Sequence, residues 1–162
     1  MVGRAEVVIG VISDTHGLLR PEALGALKGS DFIVHAGDVG SREILGRLGR
    51  IAPVTAVRGN VDTDSWAASL PATAVLEAEG VALYIVHDVG EVDVDLRAGG
   101  FAAVISGHSH QPRSEWRNQV LYFNPGAAGP RRFRLPVTVG KLRIQGTKID
   151  AEIIPLLPDG HR

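Results

Sequence analysis

VVIGVISDTH (residues 7–16) and FIVHAGD (residues 32–38) follow one plan, in which an apolar run leads into a short turn that contains an aspartate. Between them, residues 21–28 begin with a proline and are followed by Gly29, which favours a short helix. Ser41 can cap a second helix at residues 42–48, and residues 54–57 form another apolar run. Apolar runs that alternate with helix-like segments predict βαβ units and a parallel sheet.

The second half of the chain changes to closely spaced apolar runs. We predict strands at residues 74–78, 81–87, 102–106, 120–123, 132–139 and 141–153. The sequence Val139-Gly140-Lys141 is typical of a tight turn between the last two strands, and Gln119 ends a predicted hairpin. Residues 90–100 fit either a short helix or a loop, and residues 155–162 are expected to be a strand end and a loose terminus. The chain is therefore predicted to be α/β, with a mainly β second half.

Composition limits what such a chain can do. The 162 residues, 44% of them apolar, suit one domain spanning residues 1–162. The net charge of −1 gives no strong nucleic-acid signal and no attraction to a membrane surface. The apolar run at residues 7–12 is too short to span a bilayer, so we expect a cytoplasmic protein without a membrane partner. Nothing in the sequence sets the oligomeric state, and a homo-oligomer is left open.

Residues with metal-ligating side chains stand where the apolar runs end. They are Asp14, His16, Asp38, Asn60, His87, His108 and His110. The chain has no cysteine, so histidine and carboxylate must do any metal binding. Ligands in open α/β sheets gather beyond the carboxyl ends of the strands, where these residues are expected to meet. Mixed carboxylate, amide and imidazole ligands suit Mn²⁺, Fe or Zn²⁺.

Each of these residues also has a plainer interpretation. Asp14 and Asp38 can cap a turn or a helix, Asn60 can be a turn residue, and His87 can be a hydrogen-bonded histidine at a strand end. The pair His108 and His110 favours metal, because two imidazoles on one side of a strand end repel when protonated and bind a cation when neutral. His35, inside the second predicted strand, favours a supporting role by hydrogen bonding.

The order of the blocks resembles a known family. The chain resembles the calcineurin-like metallophosphoesterase superfamily in five blocks that follow one another in this order. They are D-x-H at Asp14 and His16, Gly-Asp at Asp38, Gly-Asn at Asn60, a histidine at His87, and G-H-x-H at residues 107–110. Within the superfamily, the chain is similar to the compact bacterial and archaeal phosphodiesterase branch. The similarity lies in its small size, in RGNVD at residues 58–62 and in NPG at residues 124–126. That branch also resembles a retromer subunit, vacuolar protein sorting protein twenty-nine.

The resemblance implies a fold and a metal site. The implied fold is a four-layer αββα sandwich of two mixed β-sheets flanked by helices. Two divalent ions are implied, with Mn²⁺ expected and Ni²⁺, Fe or Zn²⁺ as alternatives. One ion would be held by Asp14, His16, Asp38 and His110, and the other by Asp38, Asn60, His87 and His108. Asp38 would bridge them.

The implied activity is hydrolysis of a small phosphoester, most simply a phosphodiester. A hydroxide between the two ions would attack phosphorus in line, with Asp38 and Asn60 at the reacting centre. Arg58 is a candidate clamp for a phosphoryl oxygen, although a surface ion pair is nearly as good an interpretation. Many members have a histidine where this chain has Val61, so Asp62 is a candidate replacement acid; otherwise activated diesters are favoured.

A second class of function stays open from the sequence. A chain with this pattern can be a metal-binding scaffold for protein interaction without turnover, or a protein that binds a single metal. The seven filled ligand positions favour the enzyme.

Overall fold

The chain alternates strands and helices in its first half and is mainly β in its second. The computed structural model describes residues 6–132 and 134–157. The helices are α1 (Pro21–Leu27) and α2 (Arg42–Gly49). The strands are β1 (Val7–Ile12), β2 (Phe32–His35), β3 (Val54–Ala56), β4 (Thr73–Ala78), β5 (Val81–Val86), β6 (Phe101–Ile105), β7 (Arg113–Arg117), β8 (Val120–Asn124), β9 (Thr138–Gln145) and β10 (Lys148–Pro155). Short 3₁₀ turns lie at Ser65–Ser69 and Val89–Glu91.

The strands form two mixed sheets. The first sheet has the order β10-β9-β1-β2-β3, and the second has the order β4-β5-β6-β8-β7. In the first, β1, β2 and β3 are parallel, with Ile12 beside His35 and His35 beside Ala56. In the second, β5, β6 and β8 are parallel. The carboxyl ends of the central strands of each sheet therefore lie along one edge.

Apolar side chains between the sheets form the largest core cluster. Ile9 and Val34 from the first sheet pack with Ile85, Ile105 and Phe123 from the second. A second cluster lies between the helices and the first sheet, where α1 and α2 each bury a face. The predicted α/β sandwich is confirmed by this layering.

The two helices begin as their sequences predict. Pro21 occupies the first turn of α1, where its missing N–H costs no hydrogen bond. Ser41 caps α2, and its Oγ accepts a hydrogen bond from the Glu43 N–H at 3.3 Å. Ile44 and Leu48, four residues apart, point into the core.

The layer outside the second sheet differs from the αββα expectation. Within the described residues, the 3₁₀ turn Val89–Glu91 and a series of turns cover this face, and no α-helix does. Leu96 packs there against Tyr84 and Val104. The Asp95 side chain accepts a hydrogen bond from the Ala98 N–H at 3.1 Å, a local turn that competes with helix formation.

The final hairpin corrects a sequence prediction. The turn predicted at Val139-Gly140-Lys141 is wrong, because β9 runs straight through these residues. The chain turns instead at Gly146, whose φ of 65° suits glycine. The predicted strand at 132–139 is also wrong in its first part: β9 starts at Thr138. Phe133 lies outside the described residues.

The β7–β8 hairpin and the C-terminal tail were also predicted from the sequence. Asn118 and Gln119 have φ of 51° and 68° and form the two-residue turn of the predicted β7–β8 hairpin, which is confirmed. Of the predicted tail, Pro155 ends β10, and residues 158–162 lie outside the described residues. No helix in the described ranges is long and apolar enough to cross a membrane.

Candidate metal centre

The seven predicted ligands follow the ends of five parallel strands. Asp14 and His16 follow β1, Asp38 follows β2, and Asn60 follows β3. The histidines come from the other sheet, one after β5 and two after β6; they are His87, His108 and His110. The site therefore forms where the carboxyl edges of the two sheets meet.

Asp14, His16 and His110 form the first ligand group. Their ligand atoms all lie within 4.8 Å of one another. Asp14 Oδ1 is 3.4 Å from His110 Nε2 and 3.7 Å from His16 Nε2. The two histidine Nε2 atoms are 3.3 Å apart. Three donor atoms that converge in this way can share one cation.

Asp38 lies between this group and a second one. Asp14, Asp38 and His87 also have ligand atoms within 4.8 Å of one another. Asp38 Oδ2 is 3.2 Å from His87 Nε2 and 3.6 Å from His16 Nε2. Asn60 Oδ1 lies 3.1 Å from the same nitrogen of His87. One carboxylate oxygen of Asp38 thus faces ligands of both groups.

His108 occupies the rim rather than the centre of this arrangement. Its side chain is 47% exposed, and its Nε2 lies 3.8 Å from Asp88 Oδ2. Its ring centroid is 5.2 Å from that of His87. The acidic neighbour Asp88 was not among the predicted site residues, and its position directly after His87 is the signal that identifies it.

The two central aspartates each have one oxygen fixed and one oxygen turned toward the imidazoles. Asp14 Oδ2 accepts hydrogen bonds from Ser13 Oγ at 2.7 Å and from the His108 N–H at 3.1 Å. Asp38 Oδ1 accepts one from the Val61 N–H at 3.0 Å. Asp14 Oδ1 is buried and has no hydrogen-bond partner in the described part of the chain. A buried carboxylate oxygen without a donor fits a cation as its partner.

Five of the seven predicted ligands also share an unusual backbone conformation. Eight non-glycine residues in the described ranges have positive φ, and five of them are predicted ligands: Asp14, His16, Asp38, His108 and His110, with φ between 47° and 72°. This region is uncommon for residues with a Cβ, and such strain gathers at functional sites. Tight turns after the strands therefore aim the ligand side chains into one crevice.

Close backbone approach requires glycine at two positions beside the ligands. A Cβ at Gly59 would collide with the Asp38 backbone and side chain. A Cβ at Gly107 would collide with Ser13 Oγ and lie 2.6 Å from Asp14 Oδ2. The glycines of the Gly-Asn and Gly-His blocks thus let loops from different strands pack directly against the two aspartates.

Charge coupling links Asp38 to His87. Burial raises the pKa of Asp38, but hydrogen bonds from His87 and the Val61 N–H outweigh it and bring the pKa to about 2. Burial lowers the pKa of His87, but its hydrogen bonds to Asp38 and to Ala36 O outweigh that effect and raise the pKa to about 8. Without metal, a proton on His87 thus supplies the positive charge beside Asp38, and a cation that bound His87 Nε2 would displace this proton.

His87 and His110 are held in different ways. His87 Nδ1 lies 2.7 Å from Ala36 O, so its N–H donates to that carbonyl and Nε2 faces the site. Burial lowers the pKa of His110 below its ordinary value, and the charge of Asp14 offsets part of this. A neutral imidazole is the form that binds metal.

Asp62 is buried and fully engaged by the backbone. Its Oδ2 accepts hydrogen bonds from the Val39 and Gly59 N–H groups at 3.1 and 3.0 Å. Its Oδ1 accepts one from the Gly40 N–H at 3.0 Å. Asp62 therefore ties the loop that carries Asp38 to the loop that carries Asn60.

Arg58 is exposed beside the same loop. Its Nη1 donates a hydrogen bond to Leu70 O at 3.2 Å. The guanidinium would have to leave this carbonyl to engage a phosphoryl oxygen.

His35 supports the site through a chain of hydrogen bonds. Its Nδ1 accepts from the Gly37 N–H at 3.1 Å, so Nε2 carries the proton and donates to Thr15 Oγ1 at 3.0 Å. Thr15 Oγ1 donates in turn to Val39 O at 2.7 Å. Burial lowers the pKa of His35 to about 4, which keeps the ring neutral. This chain joins the turn that carries Asp14 and His16 to the turn that carries Asp38.

Comparison with known proteins identifies the family. The sequence profile described as the calcineurin-like phosphoesterase superfamily domain matches residues 7–147. The chain belongs to this superfamily. It is a phosphoesterase, and the two convergent ligand groups agree with the family's dependence on metal.

Individual relatives agree with this assignment. A probable metallophosphoesterase of Methanothermobacter thermautotrophicus is 38% identical over 162 residues, covering 91% of this chain and 92% of the relative. The phosphodiesterase YfcE of Escherichia coli is 31% identical over 155 residues, covering 80% of this chain and 84% of that protein. The structure of vacuolar protein sorting 29 from Cryptosporidium parvum has a TM-score of 0.81 at 20% identity, covering 96% of this phosphoesterase and 94% of that chain, which shows a shared fold.

Proposed function

We propose that this phosphoesterase is a phosphodiesterase with a dinuclear metal centre. The position of Asp38 Oδ2, 3.6 Å from His16 Nε2 and 3.2 Å from His87 Nε2, is the observation that carries the proposal. A single oxygen that faces both ligand groups is positioned to be shared between two ions. The orphaned Asp14 Oδ1 supports cation binding on the first side.

The proposed ligand sets follow this geometry. Asp14, His16, Asp38 and His110 would hold one ion; Asp38, Asn60, His87 and the rim residue His108 would hold the other. When bound, the ions supply an activated water-derived nucleophile and neutralise charge on the phosphoryl oxygens. Mn²⁺ is the proposed ion because the set mixes oxygen and imidazole ligands, and Ni²⁺, Fe and Zn²⁺ are the alternatives.

The preference for diesters rests on the missing proton donor. Val61 is 45% exposed at the position where many members have histidine. Asp62, the proposed substitute, uses both oxygens to accept three backbone hydrogen bonds, which supports a structural role instead. A leaving group must therefore depart with solvent protonation, and this favours activated diesters over stable monoesters.

The role of Arg58 as a phosphate clamp remains a prediction. Its fork geometry matches phosphoryl oxygens, and the hydrogen bond that it donates to the Leu70 carbonyl is exposed. We expect Arg58→Gln to raise the KM for a diester several-fold with a smaller effect on kcat if the side chain swings to the substrate.

Hydrolysis of bis(p-nitrophenyl) phosphate and p-nitrophenyl phosphate by metal-stripped protein tests the function. We expect Mn²⁺ to restore diester hydrolysis, with slower monoester hydrolysis. Asp38→Ala should abolish it, whereas Asp64→Asn, at an exposed aspartate outside the site, should not. Folded protein that is inactive with every divalent ion would favour the interaction scaffold, and faster monoester hydrolysis would refute the diester preference.

A further inference from the structure

His108 is held less firmly than the other histidines proposed as ligands. Among the proposed histidine and carboxylate ligands, His108 alone lies outside both convergent ligand groups of the described chain. Its backbone is fixed, because its N–H donates to Asp14 Oδ2 at 3.1 Å. Its side chain is 47% exposed and has room to change rotamer. Ordering a mobile ring costs entropy when it binds, so a ligand in this position needs a second contact that orients the imidazole.

A backbone hydrogen bond between two loops brings Asp88 beside His108. The carbonyl oxygen of His87 accepts from the Gly107 N–H at 2.9 Å, so the loop that follows β5 lies against the loop that follows β6. Asp88 and His108 come directly after the two partners of this bond. Asp88 Oδ2 lies 3.8 Å from His108 Nε2. The neighbourhood of carboxylate and imidazole thus follows from the way the two loops are joined.

The Asp88 carboxylate is divided in the same way as those of Asp14 and Asp38. Its Oδ1 accepts a hydrogen bond from the Gly90 N–H at 2.9 Å, at the start of the 3₁₀ turn that follows β5. Its Oδ2 is left facing the ring of His108. The distance of 3.8 Å is longer than a hydrogen bond, and rotation of the half-exposed imidazole is the movement that closes it.

The nearest cationic competitor for Asp88 is already bound elsewhere. Arg113 lines the same small cavity as Asp88 and His108. Its Nε and Nη2 donate to Glu115 Oε1 at 2.9 and 2.7 Å. Within residues 6–132 and 134–157, the ion-pair geometry of Asp88 therefore leads to His108 rather than to this guanidinium.

We propose that Asp88 is a positioning residue for the second ion: its Oδ2 accepts a hydrogen bond from His108 Nε2–H and leaves Nδ1 as the ligand atom. A carboxylate that holds the proton on one ring nitrogen leaves the lone pair on the other. His87 shows the same division with its nitrogens exchanged, since Ala36 O holds Nδ1 and Nε2 faces the site. This inference deepens the proposed dinuclear centre and rests on it.

Asp88→Asn separates the contact with His108 from the cap on the turn. Asparagine has one acceptor oxygen, and if that oxygen keeps the Gly90 hydrogen bond, an NH₂ group faces Nε2 and drives the ring proton to Nδ1. In calorimetric titration of metal-stripped protein with Mn²⁺, we expect the second ion to bind about 10–100-fold more weakly and the first to change less than about twofold. The melting temperature of the metal-free protein should be unchanged. Asp93→Asn removes the same charge from an exposed position in the following loop and should bind both ions as the wild type does.

Nitrogen NMR of the zinc-loaded protein, labelled with ¹⁵N-histidine, gives a readout that a turn cap alone would not change. We expect zinc on Nδ1 and a proton on Nε2 of His108 in the wild type and in Asp93→Asn, and loss of this pattern in Asp88→Asn. His108→Gln assigns the signals. Zinc bound through Nε2 in the wild type, or a second ion bound equally well by Asp88→Asn, would overturn the role of Asp88. A wild type that binds only one ion would instead overturn the dinuclear centre.

Discussion

At the scale of single residues, the site is built from aspartates with divided roles. In Asp14 and Asp38, one carboxylate oxygen accepts hydrogen bonds and the other faces imidazole nitrogens. In Asp62, both oxygens accept hydrogen bonds from backbone N–H groups. The same side chain is thus available as a metal ligand where one oxygen is left over, and it is a structural brace where none is.

Substitution of Asp62 separates these roles. In Asp62→Asn an amide NH₂ replaces one acceptor and faces backbone N–H donors, so we expect a loss of about 2 kcal/mol in the free energy of unfolding. Denaturant titration measures it, and the exposed Asp64→Asn is the matched control. As a brace, Asp62→Asn should slow p-nitrophenyl and phenyl diesters by the same factor. A much larger loss for the phenyl diester would contradict the structural role and restore the general acid.

His35 gives the metal-free protein a defined pH dependence. Its pKa is lowered from 6.5 to about 4, so the unfolded chain takes up its proton first. Stability from His35 is present above pH 6.5 and is lost as the pH falls toward 4, by about 3 kcal/mol in all. The raised pKa of His87 acts between 6.5 and 8, and the lowered pKa of Asp38 acts below 3.8, so neither overlaps this window. The lowered pKa of His110 acts below 6.5 as well, so the His35 component is the difference between the wild type and a variant at His35.

His35→Gln tests this dependence because glutamine can still donate to Thr15 but does not titrate. We expect the free energy of unfolding of the wild type to fall between pH 6.5 and 4, measured by urea titration after metal removal. The variant should lack this component of the fall. The same slope in both proteins would show that His35 is not the group responsible.

The roles of some of these residues could be predicted from the sequence, and the roles of others could not. Asp14, Asp38 and His87 were predictable because each ends an apolar run, and the structure brings their ligand atoms together. The brace formed by Asp62 was not predictable because its partners are backbone N–H groups of distant loops. The rim position of His108 depends on a positive φ of 72°, which no local pattern indicates.

At the scale of elements, the misplaced turn shows how a glycine can mislead. Gly140 lies inside β9, and a Cβ there would come within 2.5 Å of the ring of Phe123, which is 1% exposed. The glycine makes room for a buried aromatic ring on the opposite sheet. Sequence alone cannot separate this purpose from a turn, because the partner is not near in sequence.

Gly140→Ala tests the position of β9. Because Phe123 is buried and cannot move aside freely, we expect a loss of about 1–3 kcal/mol in the free energy of unfolding. Gly25→Ala is the control: a Cβ at this helical position meets no atom within 4 Å, and alanine should be neutral or slightly stabilising. Thermal or urea unfolding of both variants measures the difference. A Gly140→Ala protein as stable as the wild type would refute the packing of β9 against the second sheet.

At the scale of the whole molecule, the centre depends on the joining of two sheets. The first sheet supplies Asp14, His16, Asp38 and Asn60, and the second supplies the three histidines, His87, His108 and His110. The apolar core between the sheets sets their spacing, and the glycines beside the ligands let the loops approach. The α/β class was predictable from alternating apolar runs and the layered sandwich from the resemblance to the superfamily, but the distances across the sheets were not.

Measuring the number of Mn²⁺ ions per folded chain tests the dinuclear centre most directly. The metal-stripped protein would be loaded with Mn²⁺, freed of excess ion, and analysed by elemental mass spectrometry against protein concentration. We predict a ratio close to two for the wild type and for Asp64→Asn, and a ratio of one or less for Asp38→Ala, because the bridging ligand serves both ions. A wild-type ratio of one, unchanged in the Asp38 variant, would contradict the shared carboxylate and with it the two-metal phosphodiesterase.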